Sequence, residues 1–175
     1  DKGFRQIPPE KVIGRIKYLM ERYNVGFIRF GDENFGSDRK ATEEIIRLIK
    51  PLNILWKVGG VRACSVDRDL LKRMWDAGCT GLIYGFESGS PDILEVMEKK
   101  LELEDNYNAA RWMHEAGLFT IYQLVLAMPG ENDRTISETT EMVKSITEFL
   151  PYPPYERLSI NYIQALPGTP VYEHA

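Results

Sequence analysis

The sequence is poor in the residues that staple or metallate small proteins. Only two cysteines, Cys64 and Cys79, and two histidines, His114 and His174, occur in 175 residues. A secreted domain built on disulfides needs more, so a reducing cytoplasm is the expected location. The two histidines lack metal-ligand spacing. No sign of charge dominates either. The net charge of −4 gives no general attraction to nucleic acid or anionic lipid, and neither is expected as a partner. No apolar run approaches the roughly 20 residues of a membrane span. The opening Asp1-Lys2-Gly3-Phe4-Arg5 does not read as a secretory leader. Also missing is a G-x-G-x-x-G turn behind an apolar run, which weighs against a dinucleotide-binding open sheet.

What is present is a repeated unit. With 43% hydrophobic and 27% charged residues, the chain can build one ordinary core, and residues 1–175 are expected to form one domain. A helical pattern from Pro8 to Tyr23 precedes an apolar run, Val25 to Phe30. Asp38 can cap a helix carrying Ile45, Ile46 and Ile49, which Pro51 stops before a strand from Asn53 to Val58. Asp67 can cap the next, which ends at Ala77-Gly78 before Gly81 to Phe86. Ser90-Pro91 opens a helix through Met97, and a second stretch runs from Leu103 to Ala116. Phe119 to Ala127, Asp133 to Leu150 and Arg157 to Ile163 complete a helix–strand alternation with five strands. Near-continuous apolar strands alternating with helices imply a parallel sheet buried on both faces. The expected fold is α/β, a partial parallel (β/α) barrel, with a doubly wound open sheet as the alternative.

Chemistry in such folds sits where strands end. Here the ends read Gly31-Asp32-Glu33-Asn34-Phe35, Gly59-Gly60-Val61-Arg62, Glu87-Ser88-Gly89-Ser90, Met128-Pro129-Gly130-Glu131 and Gln164-Ala165-Leu166-Pro167-Gly168-Thr169-Pro170. Glycines beside polar groups let backbone approach a ligand closely. Carboxylates at the first and third ends can accept hydrogen bonds from an ammonium or a ribose hydroxyl. Glu87, which closes an apolar strand and precedes small residues, is expected to point into a pocket mouth. Asp32 and Glu33 can also simply solvate a turn, and Ser90 reads as a helix cap.

These segments resemble, in order, motifs of the radical S-adenosylmethionine (radical SAM) enzymes. Gly85-Phe86-Glu87-Ser88-Gly89-Ser90 with Leu94 and Lys99 is similar to one strand segment of that family. Phe30 to Phe35, Leu126 to Glu131 and Leu166 to Tyr172 are similar to three others. The style resembles the subgroup that often carries a cobalamin-binding domain, including anaerobic cyclases and methyltransferases. The resemblance implies about five of six β/α units of a TIM-barrel-like core. It implies S-adenosylmethionine and a [4Fe–4S] cluster as cofactors, with cobalamin possible and a small-molecule substrate. In such enzymes one electron cleaves the sulfonium to a 5′-deoxyadenosyl radical, or the cofactor donates a methyl group. It further implies that Gly31, Asp32 and Glu33 receive the methionyl ammonium, and that Glu87 and Ser88 stand near the ribose or ammonium. By the same resemblance Lys99 meets the methionine carboxylate, and Gln123 and Val125 lie beside ribose and adenine.

The family's C-x-x-x-C-x-x-C loop does not occur here, and two distant cysteines cannot supply the thiolates of a [4Fe–4S] cluster. The expectation is therefore a catalytic core whose first strand and cluster loop lie upstream, inactive by itself. The flank of its first strand would be open to self-association. Two rival readings are a metal-dependent β/α-barrel lyase or hydrolase using Asp32, Glu33 and Glu87, and a barrel scaffold without catalysis.

Overall fold

The computed structural model describes residues 6–32, 34–148, 150 and 154–174. Helix α1 (Pro9–Tyr23) starts with proline in its first turn and buries Ile13 and Ile16. It leads to β1 (Phe27–Phe30). Helix α2 (Arg39–Ile49) is capped by Asp38, whose carboxylate accepts from the Ala41 amide, and α3 (Arg68–Asp76) by Asp67, which accepts from the Leu70 amide. Between and after them run β2 (Leu55–Val61) and β3 (Cys79–Glu87). Then come α4 (Pro91–Val96), α5 (Leu103–Glu115), β4 (Phe119–Leu126), α6 (Asp133–Thr147), β5 (Leu158–Tyr162) and α7 (Pro170–His174).

All four strand pairings are parallel and the spatial order is β1-β2-β3-β4-β5, with no reversal. The helices touch in the same sequence, α1 on α2, α2 on α3, α3 on α5 and α5 on α6. That succession lays them along one side of the sheet. A doubly wound sheet would reverse its strand order and divide its helices between two faces, so this sheet is a partial (β/α) barrel that does not close. Trp56, Val58, Leu82, Tyr84, Phe86, Tyr122 and Leu124 form the layer under the helices, all nearly inaccessible, against Ile49, Leu70, Met74, Met113 and Met142. Each such side chain contributes about 1.5–3 kcal/mol on burial. The opposite face carries Phe27 (46% exposed) and Leu55 (53%), which register pairs directly, together with Phe119. It is the uncovered, inward face of the partial barrel.

Three local expectations change. Strand β2 does not stop at Val58 but runs through Gly59-Gly60, because β3 continues to pair with Val61 after a register shift and Phe35 bridges to Val61. Helix α6 ends at Thr147, short of Leu150. Ser90 holds the cap position of α4 without a side-chain capping bond, and its buried hydroxyl has no partner among the described residues.

Candidate functional site

The rim of the uncovered face is shaped by an irregularity in β3. Gly85 pairs with Gln123 but Glu87 pairs with Leu124, so Phe86 is an extra residue, a β-bulge. Phe86 turns into the core, stacked on Tyr84 and tilted against Tyr122, and Glu87 takes a left-handed backbone, φ 61°. Its carboxylate then folds back over Gly85. A Cβ at Gly85 would lie 2.4 Å from Glu87 Oε1, so only glycine leaves room for this arrangement.

The partner of Glu87 arrives from the end of α4. The Glu98 amide donates to the Glu95 carbonyl and the Lys99 amide to the Leu94 carbonyl, with Glu98 left-handed at φ 54°. This is a Schellman ending with glutamate where glycine is usual. Lys99 therefore lies in the link between α4 and α5, outside both helices. The reversal sends its ammonium back to the strand end, where Nζ stands 2.6 Å from Glu87 Oε1. The side chains are 15% (Glu87) and 30% (Lys99) exposed, so the pair is shielded on one side and open on the other. Arg62, just beyond β2, donates to the Lys100 carbonyl at 3.4 Å and ties the same link to the neighbouring strand.

Gln123 and Val125 alternate with the buried Tyr122 and Leu124, so they face the same side as Gly85 and Glu87 on the adjoining strand, about 4.8 Å away. Register extends this row to Ser159 and Asn161 of β5. The structure thus brings Glu87, Lys99, Gln123 and Val125 together. Gly31 and Asp32 follow β1, two strands away or roughly 10 Å. They are exposed, and the Asp32 carboxylate accepts from the Asn34 amide at 2.7 Å, shaping the turn that seats Phe35 against Phe30 and Trp56. Glu33 lies outside the described residues.

Ser88 is placed differently. It is 1% exposed, its hydroxyl lies 3.0 Å from that of Thr139 on α6, and it accepts from the Ser90 amide. The Gly89 amide also donates to Thr139. These bonds lock the loop after β3 onto α6, so Ser88 positions Glu87 from the helix side. At the neighbouring strand end, the Ala127 amide, at φ 68°, donates to the Glu131 carboxylate, and Asn132 caps α6. Glu131 thereby holds the Met128-Pro129-Gly130 turn.

Sequence reasoning placed Gly85 and Arg62 in the strand-end segments but assigned neither a role. A glycine two positions before a strand-ending glutamate was the available signal for the first; nothing local marks an arginine bound to a distant carbonyl. Among the described residues no group of three or more His, Cys, Asp or Glu side chains could hold a metal ion. Cys79 is buried, its Sγ 3.6 Å from the Gly81 carbonyl, and desolvation pushes its thiol up to about 12; Cys64 is exposed. No helix among the described residues is long and apolar enough to cross a membrane.

Comparison with known proteins identifies the family and agrees with the fold. The family model described as the radical SAM superfamily matches residues 1–143. The anaerobic magnesium-protoporphyrin IX monomethyl ester cyclase of Cereibacter sphaeroides is 31% identical over 147 residues, covering 81% of this chain and 24% of that protein. Among solved structures, the radical S-adenosylmethionine methyltransferase TsrM from Kitasatospora setae, with cobalamin and a [4Fe–4S] cluster bound, superposes with a TM-score of 0.75 at 16% identity. It shares 90% of this chain and 31% of its own. The cobalamin-dependent S-adenosylmethionine radical enzyme OxsB, with aqua-cobalamin and S-adenosylmethionine bound, gives 0.77 at 17% identity over 97% of this chain and 31% of its own. The chain thus spans about a quarter to a third of these proteins.

Proposed function

The chain belongs to the radical SAM superfamily, a family of enzymes, and on that premise we propose that it is the S-adenosylmethionine-holding part of a radical SAM catalytic core. The observation that carries this reading is the half-shielded Glu87–Lys99 pair over Gly85. The methionyl end of the cofactor is itself a zwitterion. Glu87 accepts from its ammonium or from ribose hydroxyls, and Lys99 donates to its carboxylate, so the ligand exchanges one ion pair for two. Gln123 offers an amide to the ribose, and Val125 an apolar surface to the adenine on the same face. The turn at Gly31 and Asp32 receives the ammonium from the far side, a role that the family resemblance extends to Glu33, and Ser88 acts by holding the loop.

The cysteines of this chain do not fit a [4Fe–4S] cluster: one is buried and bonded to a carbonyl, the other exposed, and two are fewer than the site needs. A cluster held by residues outside this sequence would supply the electron for reductive cleavage of the sulfonium. Its ligands are assigned upstream of this sequence, so the chain alone holds the cofactor without turning it over. Methyl transfer or oxidation of a small molecule, with a cobalamin-binding domain as neighbour, is the activity proposed for the parent, in the cytoplasm. The exposed flank of β1 at the sheet edge is the surface for the missing strand and for self-association of this chain.

The test is calorimetric titration with S-adenosylhomocysteine, which keeps the amino acid and nucleoside. Saturable binding is expected, weakened about tenfold or more in Glu87→Gln and in Lys99→Met, since a charge-assisted hydrogen bond contributes about 1.5–3 kcal/mol. Equal affinity in wild type and both variants sinks the assignment of these residues.

A further inference from the structure

The inward face holds a second charged feature that the cofactor reading does not use. Register places Arg29 of β1 directly beside Lys57 of β2. Both alternate with residues under the helices, Ile28 and Phe30 in one strand and Trp56 and Val58 in the other, so both project to the uncovered face. Their strands run about 4.8 Å apart, and like charges set directly opposite in a sheet destabilise it. Among the described residues no carboxylate forms an ion pair with either side chain. Across all five strands the one acidic residue is Glu87, which Lys99 engages. Neither the Arg29 nor the Lys57 side chain makes a hydrogen bond or ion pair with a described residue.

Their surroundings are apolar. One pleat below stand Phe27 and Leu55, both about half exposed, and across the face the paired Ile83 and Ile121. Arg29 lies two residues below Gly31, about 7 Å down its strand from the rim, and Lys57 four below Val61, where β2 ends, about 13 Å down. A double cation above an apolar floor, opening toward the rim, has the polarity of an amphipathic acid turned around.

We infer that Arg29 and Lys57 form an anion clamp that seats the carboxylate of an amphipathic organic acid, whose hydrocarbon or aromatic body lies on Phe27, Leu55, Ile83 and Ile121. The binding inference stands on this face alone; its description as the substrate site of the parent enzyme rests on the reading above. Arginine supplies a planar two-donor fork and lysine a mobile point charge, a combination that suits a carboxylate held from two sides.

The probe is octanoate, with octan-1-ol and octylammonium as matched uncharged and cationic controls, followed by calorimetry and amide chemical shifts on this chain. Octanoate is expected to saturate in the millimolar range, where Kd of 1 mM corresponds to about −4 kcal/mol, and to weaken about tenfold or more in the Arg29→Gln/Lys57→Gln double variant. Octan-1-ol should bind equally to both proteins, and octylammonium less well to the wild type. Shifts in the wild type should cluster at Phe27, Leu55, Ile83 and Ile121, a readout that needs no variant to fold. The urea midpoint of the double variant should be no lower than that of wild type, since a repulsion has been removed. Absence of saturable octanoate binding, equal binding by the double variant, or shifts centred elsewhere overturns the inference. So does a concentration-dependent dimer lost in the double variant, which would put a second copy on this face. S-adenosylhomocysteine affinity should be unchanged in the double variant; a wild type that saturates with octanoate but binds S-adenosylhomocysteine no better than Glu87→Gln and Lys99→Met do would refute the cofactor reading and leave the clamp.

Discussion

Two glycines four residues apart make opposite demands, and alanine at each separates fold from site. At Gly89 a Cβ would stand 2.7 Å from the Thr139 Cα, 2.7 Å from the Met142 Cβ and 2.8 Å from the Glu138 carbonyl oxygen. Two of these atoms are backbone of α6, so the helix itself must move. Overpacking of this kind costs about 1–3 kcal/mol. Displacing α6 also strains the Gly89–Thr139 and Ser88–Thr139 hydrogen bonds, each contributing about 1 kcal/mol. Gly89→Ala should therefore destabilise by about 3–5 kcal/mol, a large part of the 5–15 kcal/mol typical of a domain. At Gly85 the nearest atoms are Glu87 Oε1 at 2.4 Å and Lys99 Nζ at 3.9 Å, both at the ends of flexible side chains. Moving them costs about 0.5–1.5 kcal/mol in rotamer energy. Alanine in place of glycine offsets about 0.4–1 kcal/mol through the unfolded chain, so Gly85→Ala should fold nearly as well as wild type. It should nonetheless lose S-adenosylhomocysteine affinity, because the carboxylate is displaced. Urea unfolding followed by circular dichroism, with calorimetry beside it, reads both effects. Comparable shifts of the urea midpoint in the two variants, or a Gly85→Ala protein that binds as wild type, would refute the reasoning.

Thr139→Val should cost about 1–3 kcal/mol by removing the acceptor of the Gly89 amide and of the Ser88 hydroxyl proton, while Thr139→Ser keeps both bonds; equal urea midpoints for the two variants would contradict this. Glu98→Gly should stabilise by about 1 kcal/mol, because glutamate there holds a left-handed backbone that glycine adopts freely; a lower melting temperature counts against the Schellman assignment. Burial raises the Cys79 thiol from 9.0 to about 12 and the Tyr122 phenol from 10.0 to about 12. Above the ordinary values the unfolded chain releases these protons and the folded one does not. Stability is thus independent of these groups below pH 9.0 and falls from there toward about pH 12. A urea midpoint that stays flat across that window refutes the burial argument. A thiol reagent applied to the native chain should modify Cys64 and spare Cys79, and labelling of both at equal rates would show that Cys79 is reached from solvent.

Local sequence determined the alternation of helices and strands. Asp38 and Asp67 cap where their position before an apolar helix face predicts, and the five apolar runs are the five strands, because capping and burial periodicity act within a few residues. The strand ends also mark the rim, since parallel crossovers bring every C-terminal end to one side. Glu87, Lys99, Gln123 and Val125 could be named as candidates from motif order alone. Tertiary structure decided which of the named side chains meet. Ser88 and Glu87 are neighbours in sequence, yet the bulge at Phe86 and the left-handed backbone of Glu87 send one to α6 and the other to the open face. The Schellman reversal at Glu98 brings Lys99 back across twelve residues to Glu87. The pairing of Arg29 with Lys57 depends on β1–β2 register, which 27 residues of intervening chain leave open until both strands are packed beneath the helices. A one-residue slip would turn every side chain of a strand to the other face, so these contacts are fixed by the burial of Phe30, Trp56 and Val58 against the helices and not by any pattern local to the residues that make them.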